Sequence, residues 1–321
     1  MKKTMLAMAL LLLLSGLWTA AARAEAEAPE GPALNAEGFL DEGEYVREDE
    51  ENGYWEYASP TLHVVINRRY TTDPVPLYWW EADIRTRGGE RWFMPTAVEG
   101  KHLSVSRWPY LVAQRNKVVF AINNDYAQGR YPSRNNSVGI IIRDGRILWS
   151  KTRRSQSRNA FPNLDIMAFM PDGSFEVFDY NAHTAEEYLD MGVENLLCFG
   201  PWLIRDGEVN EVLDKVGQNR NPRTVIGMVE NGHYAAIVSE GRSRRSKGCT
   251  LRFMTDRLLE MGCTVGFNLD GGETSFMTFM GVQLNLAGGA NNRYGSARRA
   301  SDIVAIGVSD LVVERTPTPI K

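Results

Sequence analysis

Val225-Ile226-Gly227-Met228-Val229-Glu230-Asn231-Gly232-His233-Tyr234-Ala235-Ala236-Ile237-Val238 sets two apolar, β-branched runs on either side of an Asn-Gly pair. Asn-Gly tolerates the positive φ of a tight two-residue turn, so the stretch reads as an antiparallel hairpin. Three further stretches have the same form around Asp-Gly: Val138 to Trp149 at Asp144-Gly145, Ile166 to Phe178 at Asp172-Gly173, and Trp202 to Val209 at Asp206-Gly207. Ile141-Ile142-Arg143-Asp144-Gly145 echoes Leu203-Ile204-Arg205-Asp206-Gly207, which suggests either a loose internal duplication or shared turn chemistry.

Helical spacing of apolar residues is confined to about 105–116, 185–191 and 251–262, with Thr184 and Thr250 placed as N-caps. A short apolar strand follows each: Lys117 to Ile122, Asn195 to Phe199 and Thr264 to Leu269. The expected fold class is α+β: a single domain with an extensive mixed or antiparallel sheet built from hairpins, and helices packed on it.

Lys2 and Lys3, an apolar run from Met5 to about Ala20 and then Ala22-Arg23-Ala24 match a cleaved secretory leader, so 1–24 is read as a signal peptide and the chain as secreted or extracytoplasmic. The apolar run is short and broken by Ser15 and Gly16, and no second one follows, so no membrane span is expected after cleavage. Losing Lys2, Lys3 and Arg23 takes 36 basic residues to 33 against 40 acidic, and the formal charge from −4 to −7. Eleven acids and one base (Arg47) lie between Glu25 and Asn52, a composition that reads as a solvated tail or spacer. The remaining 53–321 is near neutral, which excludes a whole-surface field for nucleic acid. No stripe of apolar residues predicts a protein partner. Three cysteines, Cys198, Cys249 and Cys263, allow at most one bridge, with Cys249 and Cys263 the candidate pair and buried free thiols the alternative.

Two strand ends look suited to a ligand. One is Phe120-Ala121-Ile122-Asn123-Asn124-Asp125-Tyr126, the other Gly266-Phe267-Asn268-Leu269-Asp270-Gly271-Gly272-Glu273-Thr274-Ser275. Short side chains and glycines let backbone approach a bound molecule. In the second, Gly271 and Gly272 free N–H groups, Thr274 and Ser275 add hydroxyls, and Asp270 supplies a carboxylate, a set able to hold a phosphate beside an acid or base. The alternative is a tight turn whose Asp satisfies its own backbone. Of the arginine clusters at Arg153-Arg154, Arg242 to Arg245 and Arg298-Arg299, and of Arg223, we select Arg223 and Arg242, each at a strand edge, as phosphate forks. Glu240 ends a strand and is the candidate partner carboxylate for Asp270. His63, His102, His183 and His233 show no metal-ligand spacing, and no Gly-x-Ser-x-Gly elbow, P-loop or dinucleotide fingerprint is present.

At these residues the sequence resembles the phosphodiester glycosidase family, the domain type of the uncovering enzyme N-acetylglucosamine-1-phosphodiester α-N-acetylglucosaminidase, over roughly Val64 to Val308. The family's Ala-Ile-Asn-Gly-Gly-Phe-Phe is similar to Ala121 to Tyr126, its Gly-Pro-x-Leu-Val-Arg-Asp-Gly to Gly200 to Gly207, and its Pro-Arg-Thr-Ala-Ile-Gly to Pro222 to Gly227. Ser239-Glu240-Gly241-Arg242, Gly248-Cys249-Thr250-Leu251 and Asn268 to Ser275 match the remaining elements in order. Asn124, Asp125, Glu240 and Glu273 depart from the pattern and add acidic or amide groups.

The resemblance implies hydrolysis of a sugar-1-phosphodiester in an envelope or extracellular glycan. Arg223, Arg242, Gly271, Gly272, Thr274 and Ser275 would hold phosphate. Asp270 with Glu240 would serve catalysis, and Asn123 and Asp125 would bind sugar hydroxyls. The alternative is a non-catalytic phosphoglycan or exopolysaccharide binder. No cofactor is required on this reading, though calcium is conceivable near Asp125, Asp270 and Glu273, since hard cations favour oxygen ligands.

Overall fold

The computed structural model describes residues 31–102, 105–125, 139–150, 164–288 and 295–316. The expected leader 1–24, the start of the acidic stretch and Arg153-Arg154 lie outside the described residues. In chain order the strands are β1 (Tyr45–Asp49), β2 (Tyr54–Ala58), β3 (Leu62–Thr71), β4 (Leu77–Thr86), then helix α1 (Pro109–Arg115) and β5 (Val118–Ile122). Next come β6 (Ile141–Arg143), β7 (Arg146–Trp149), β8 (Asp165–Phe169), β9 (Phe175–Phe178), helix α2 (Ala185–Asp190), β10 (Asn195–Phe199), β11 (Trp202–Arg205) and β12 (Glu208–Val209). The chain continues with β13 (Arg223–Glu230), β14 (His233–Ser239), helix α3 (Leu251–Glu260), β15 (Val265–Asn268), β16 (Met277–Phe279), β17 (Val282–Gln283) and β18 (Val304–Val308).

These strands form a nine-stranded sheet in the order β1-β2-β3-β4-β14-β13-β15-β11-β12, a five-stranded sheet β7-β6-β10-β8-β9 and a four-stranded sheet β17-β16-β5-β18. Every strand pairing among the described residues is antiparallel. The result is a sheet-rich fold with few helices, and Ala33 to Lys321 forms one unit. The four hairpins are those expected, and Asp144-Gly145 and Asp206-Gly207 both turn with two positive φ values, 51° and 67°, and 53° and 79°. The echoed wording thus belongs to two edge hairpins with the same primed turn, in different sheets.

Alternation along the central strands explains how three sheets pack. Trp80, Ala82 and Ile84 of β4, Tyr234, Ala236 and Val238 of β14, Met167 and Phe169 of β8, Leu197 of β10 and Phe120 and Ile122 of β5 point into one shared core. Their neighbours point the other way, each onto a helix. Ala235 and Ile237 meet Leu251, Met254 and Leu258 of α3, Ile166, Ala168, Leu196 and Cys198 meet Ala185 and Tyr188 of α2, and Val118 and Ala121 meet Val112 and Ala113 of α1. Strands apolar on both faces are the ones buried on both.

Helices α2 and α3 are set by capping at both ends. Thr184 and Thr250 accept from the N–H groups of Glu187 and Phe253. Gly192 and Gly262, with φ of 82° and 87°, donate back to Leu189 and Leu259 while the next residues donate to Tyr188 and Leu258, a paired closure that only a left-handed residue permits. Helix α1 begins at Pro109 rather than near 105, because a proline suits the first helical position and biases its predecessor away from helix.

Two expectations change. The acidic stretch 25–52 is not a spacer throughout: Phe39 is buried and Tyr45 to Asp49 pairs with β2 as the sheet's edge. Its acids find partners on the rest of the domain, Glu44 with the Tyr57 hydroxyl, Glu37 with Arg87 and Glu48 with Arg315. The cysteines are three buried free thiols, with the Cys249 Sγ donating to Ser239 Oγ.

Trp92 sits where the sheets meet. Its ring lies 6.2 Å from Phe120 of β5, 5.9 Å from Phe175 of β9 and 5.7 Å from Tyr234 of β14, one contact on each sheet. Trp92→Ala is expected to cost about 3–5 kcal/mol, as for other large core aromatics, read from the shift in chemical-denaturation midpoint.

Candidate functional site

The ends of β5, β10 and β15 converge with the start of β13 and the end of β14, and the side-chain amide of Asn123 joins them. Asn123 Nδ2 donates to the Asn124 carbonyl at 3.0 Å and the Asp270 carbonyl at 2.8 Å. Its Oδ1 accepts from Thr224 Oγ1 at 2.6 Å and Phe276 N–H at 3.2 Å. Asn123 is fully buried. Both donors and both acceptor sites of the amide are therefore spent on holding the Asp270 loop to β5 and β13. The expected sugar-binding role gives way to one of positioning.

Pro222, just before β13, is the second fixed point. A Cβ on Gly271 would lie 2.7 Å from the Pro222 carbonyl oxygen, one on Gly241 2.8 Å from Pro222 N, and one on Gly288 1.9 Å from Pro222 Cγ. The Pro222 carbonyl also accepts from Gly272 N–H at 3.1 Å. Only glycines let three backbone segments close on one proline in this way.

On this frame Asp270 leaves β15 partly exposed, with its Oδ1 accepting the Gly271 N–H at 2.8 Å. A 3-10 turn, Gly272–Thr274, follows. Gly272 has φ 69°, and a Cβ there would lie 2.9 Å from Arg242 Nη1, so the guanidinium rests against bare backbone. Asn221 Oδ1 steadies it, accepting from Arg242 Nε at 3.2 Å and Nη2 at 3.1 Å. Arg223 donates to the Asn219 carbonyl at 2.9 Å, and its Nε is buried with no partner. Burial, together with the positive charge of Arg242, holds the Arg223 pKa below its ordinary value. Neither arginine has a carboxylate partner among the described residues. Thr274 Oγ1, Ser275 Oγ and Asn268 Oδ1 are likewise buried without a hydrogen-bond partner. Buried groups of this kind are normally satisfied, so their concentration here marks the place where a polar ligand or ordered water completes them.

Two acids singled out from sequence do other work. Glu240 is buried, and its carboxylate accepts from Arg245 Nε at 2.7 Å, Arg245 Nη2 at 2.8 Å and Leu286 N–H at 2.8 Å. Burial raises its pKa, and these donors offset that only in part. It anchors two loops rather than serving as a second carboxylate for Asp270. Asp125 is fully buried and accepts from Arg143 Nη2 at 3.2 Å and Cys198 N–H at 2.7 Å. Glu273 pairs with Arg298 at 3.3 Å. Among the described residues no group of three His, Cys, Asp or Glu side chains is placed to hold a metal ion.

Sequence reasoning missed the network around Asp125. Arg143, fully buried at the end of β6, also donates from Nε to Asp302 Oδ2 at 3.0 Å, and Asn124 Nδ2 reaches the other Asp302 oxygen. His102 lies between Asp302, 3.2 Å from Nδ1, and Asp144, 3.0 Å from Nε2. No spacing signal in the chain links these residues, because they come from four separate segments.

Two measurements test this architecture. Asn123→Ala leaves two carbonyls, a hydroxyl and an N–H without partners, and is expected to cost roughly 2–4 kcal/mol in unfolding free energy. For His102, burial opposes the charge, but the hydrogen bond and charge of Asp302 and the hydrogen bond of Asp144 outweigh burial and Arg143, and hold the pKa above 6.5. The charged ring's stabilisation is thus complete below the unfolded-state value near 6.5 and is lost as pH rises through the folded-state value. Stability measured against pH should fall across that window in the native chain and fall less in His102→Gln.

Comparison with known proteins agrees with this fold. A solved structure, the zebrafish N-acetylglucosamine-1-phosphodiester alpha-N-acetylglucosaminidase catalytic domain auto-inhibited by its pro-peptide, superposes with a TM-score of 0.58 at 18% identity, covering 87% of this chain and 90% of that one. A hypothetical protein from Synechocystis has a TM-score of 0.50 at 12% identity, covering 78% of this chain and 63% of that one. In sequence, the SPbeta prophage-derived uncharacterized protein YomE of Bacillus subtilis (strain 168) is 29% identical over 202 residues, which are 62% of this chain and 29% of that relative's length. The family model described as Phosphodiester glycosidase matches residues 116–307, and the chain belongs to that family.

Proposed function

We propose that this chain hydrolyses the bond between a sugar's anomeric carbon and a phosphodiester, in an exported setting given by the leader at 1–24. The observation that carries the reading is the uncompensated positive charge of Arg223 and Arg242 beside the buried, unpartnered hydroxyls of Thr274 and Ser275. Two guanidiniums brought together without a carboxylate call for an anion, and their forks fit phosphate oxygens.

In such a reaction the C–O bond at the anomeric carbon breaks, the electron pair leaves with the phosphate, and a water oxygen replaces it on the sugar. The leaving phosphate needs its added charge held, which Arg223, Arg242 and the Gly271 to Ser275 loop are placed to do. Positive charge develops at the anomeric carbon. Asp270 is a partly exposed carboxylate at the start of the loop, able to stabilise that charge or to take the proton of the attacking water. Glu240, held by Arg245 and the Leu286 N–H, fixes the two loops those residues belong to. The substrate on this reading is an envelope or extracellular phosphoglycan.

The test is release of free sugar from aryl and methyl sugar-1-phosphodiesters, beginning with the α-N-acetylglucosamine compound. The native chain should release sugar, Asp270→Asn should fall by roughly 10²–10⁴-fold, as for loss of a positioned acid or base, and Arg242→Gln by roughly 10²–10³-fold, as for loss of a donor to developing charge. Phosphoglycan binding with no release from any compound would favour a non-catalytic binding protein.

A further inference from the structure

Beyond the loop of Asp270 lies a groove of about 370 Å³ that the chemistry above does not use. Asp165, Asp179, Tyr180, Asn181, Trp202 and Asn210 line it. It opens between the five-stranded sheet, which supplies the start of β8 and the loop after β9, and the nine-stranded sheet, which supplies β11. A second groove of about 580 Å³ shares Trp202 and Asn210 as its wall and carries Arg205, Asp206, Glu208 and Glu211.

The groove is tied to the candidate site by short bonds. Asn268 Nδ2 donates to the Gly200 carbonyl at 2.8 Å, and Gly200 N–H donates to the Asn268 carbonyl at 3.2 Å. Trp202 lies opposite Phe267 in the register of β11 and β15. Phe267 and Asp270 are three steps apart along the chain, at most about 10 Å at 3.3 Å per residue.

Its walls are pre-set. Trp202 Nε1 donates to Asp179 Oδ1 at 2.9 Å, and the Arg205 guanidinium lies 4.2 Å over the indole ring while donating to the same oxygen at 3.3 Å. Arg205 lines the second groove and not the first, so it covers the indole from the far side. Asp179 keeps Oδ2 open, and the Trp202 hydrogen bond holds its carboxyl below the usual range. Asn181 is exposed and adds an amide. An aromatic wall flanked by a carboxylate acceptor and an amide is the chemistry that meets the apolar face and adjacent hydroxyls of a pyranose ring.

Charge decides which end of a substrate enters. Asp165 and Asp179 line this groove and Asp206, Glu208 and Glu211 stand across Trp202 beside the single base Arg205, whereas Arg242, against Gly272, and Arg223 near it have no carboxylate partner among the described residues. A phosphate is repelled from the first side and drawn to the second.

We propose that the Trp202 groove binds an uncharged sugar residue attached to the glycone, so that the enzyme acts on a phosphodiester whose sugar carries at least one further saccharide unit. This rests on the proposed hydrolysis but is tested apart from it. Full-length Asp270→Asn protein is titrated calorimetrically with neutral trisaccharides of N-acetylglucosamine, glucose and galactose, with and without Trp202→Ala. In parallel the native chain and Trp202→Ala are assayed on a minimal sugar-1-phosphodiester and on the same compound extended by two sugars. The expected results are trisaccharide binding that Trp202→Ala weakens, and a preference for the extended substrate of roughly tenfold, the worth of an aromatic contact, that falls toward one in the variant. Asn181→Ala, altered at an exposed position, should weaken binding in the same direction and covers the case in which Trp202→Ala does not fold. Equal rates on both substrates with no trisaccharide binding would overturn the proposal while leaving the hydrolysis standing. Absence of hydrolysis together with Trp202-dependent trisaccharide binding would overturn the function and support the groove.

Discussion

Four hydrogen bonds on one buried amide, that of Asn123, hold the site in register. Each connects a different segment: the turn after β5, the Asp270 carbonyl, the first residues of β13 and the approach to β16. The amide is saturated, so none of these segments can shift without leaving a buried polar group unmade, which costs more than the bond itself contributes. Pro222, enclosed by Gly241, Gly271 and Gly288, adds a steric stop where Asn123 supplies a polar one. Together they make the position of Asp270 a property of the sheets rather than of its own loop.

The ionic groups divide by whether they are answered. Arg143 is met by Asp125 and Asp302, Arg245 by Glu240, and Arg257 by Glu81, each with a buried carboxylate. Buried charges in a finished interior are paired, since an unpaired one costs several kcal/mol. Arg223, half-buried, and Arg242, exposed, have no such carboxylate among the described residues where the strands end together, and Asp179 faces the Trp202 groove. A molecule with an anionic end and a neutral, hydroxyl-rich end matches that asymmetry.

What the sequence showed well was local. Asn-Gly and Asp-Gly turns, Thr184 and Thr250 caps, and the closing glycines Gly192 and Gly262 act within a few residues, so spacing alone carries them. What it could not show was the partner of each polar side chain. Asp125 looks like a loop acid until Arg143, eighteen residues on, is seen to fold back on it, and Glu240 looks like a free strand-end carboxylate until Arg245 turns to meet it. Asn123, Asp125 and Glu240 were legible as site residues and illegible as supports. The strand Tyr45 to Asp49 was hidden for a related reason: it lies in an acid-rich stretch that suggests solvent, and only Tyr57, Arg87 and Arg315, which meet Glu44, Glu37 and Glu48, explain why acids belong there.

That strand has a practical consequence. Strand β1 occupies the outer edge of the nine-stranded sheet and pairs residue by residue with β2, from Tyr45 against Ala58 to Asp49 against Tyr54. Cutting the chain at Gly53, where the composition changes, would strip that cover and bare the N–H and C=O row of β2 beside Trp55 and Tyr57. An uncovered edge of that kind recruits the same edge of another molecule. The acidic N-terminal segment thus doubles as a shield against strand addition between copies, and shortened forms of the protein should begin ahead of Phe39 to stay dispersed.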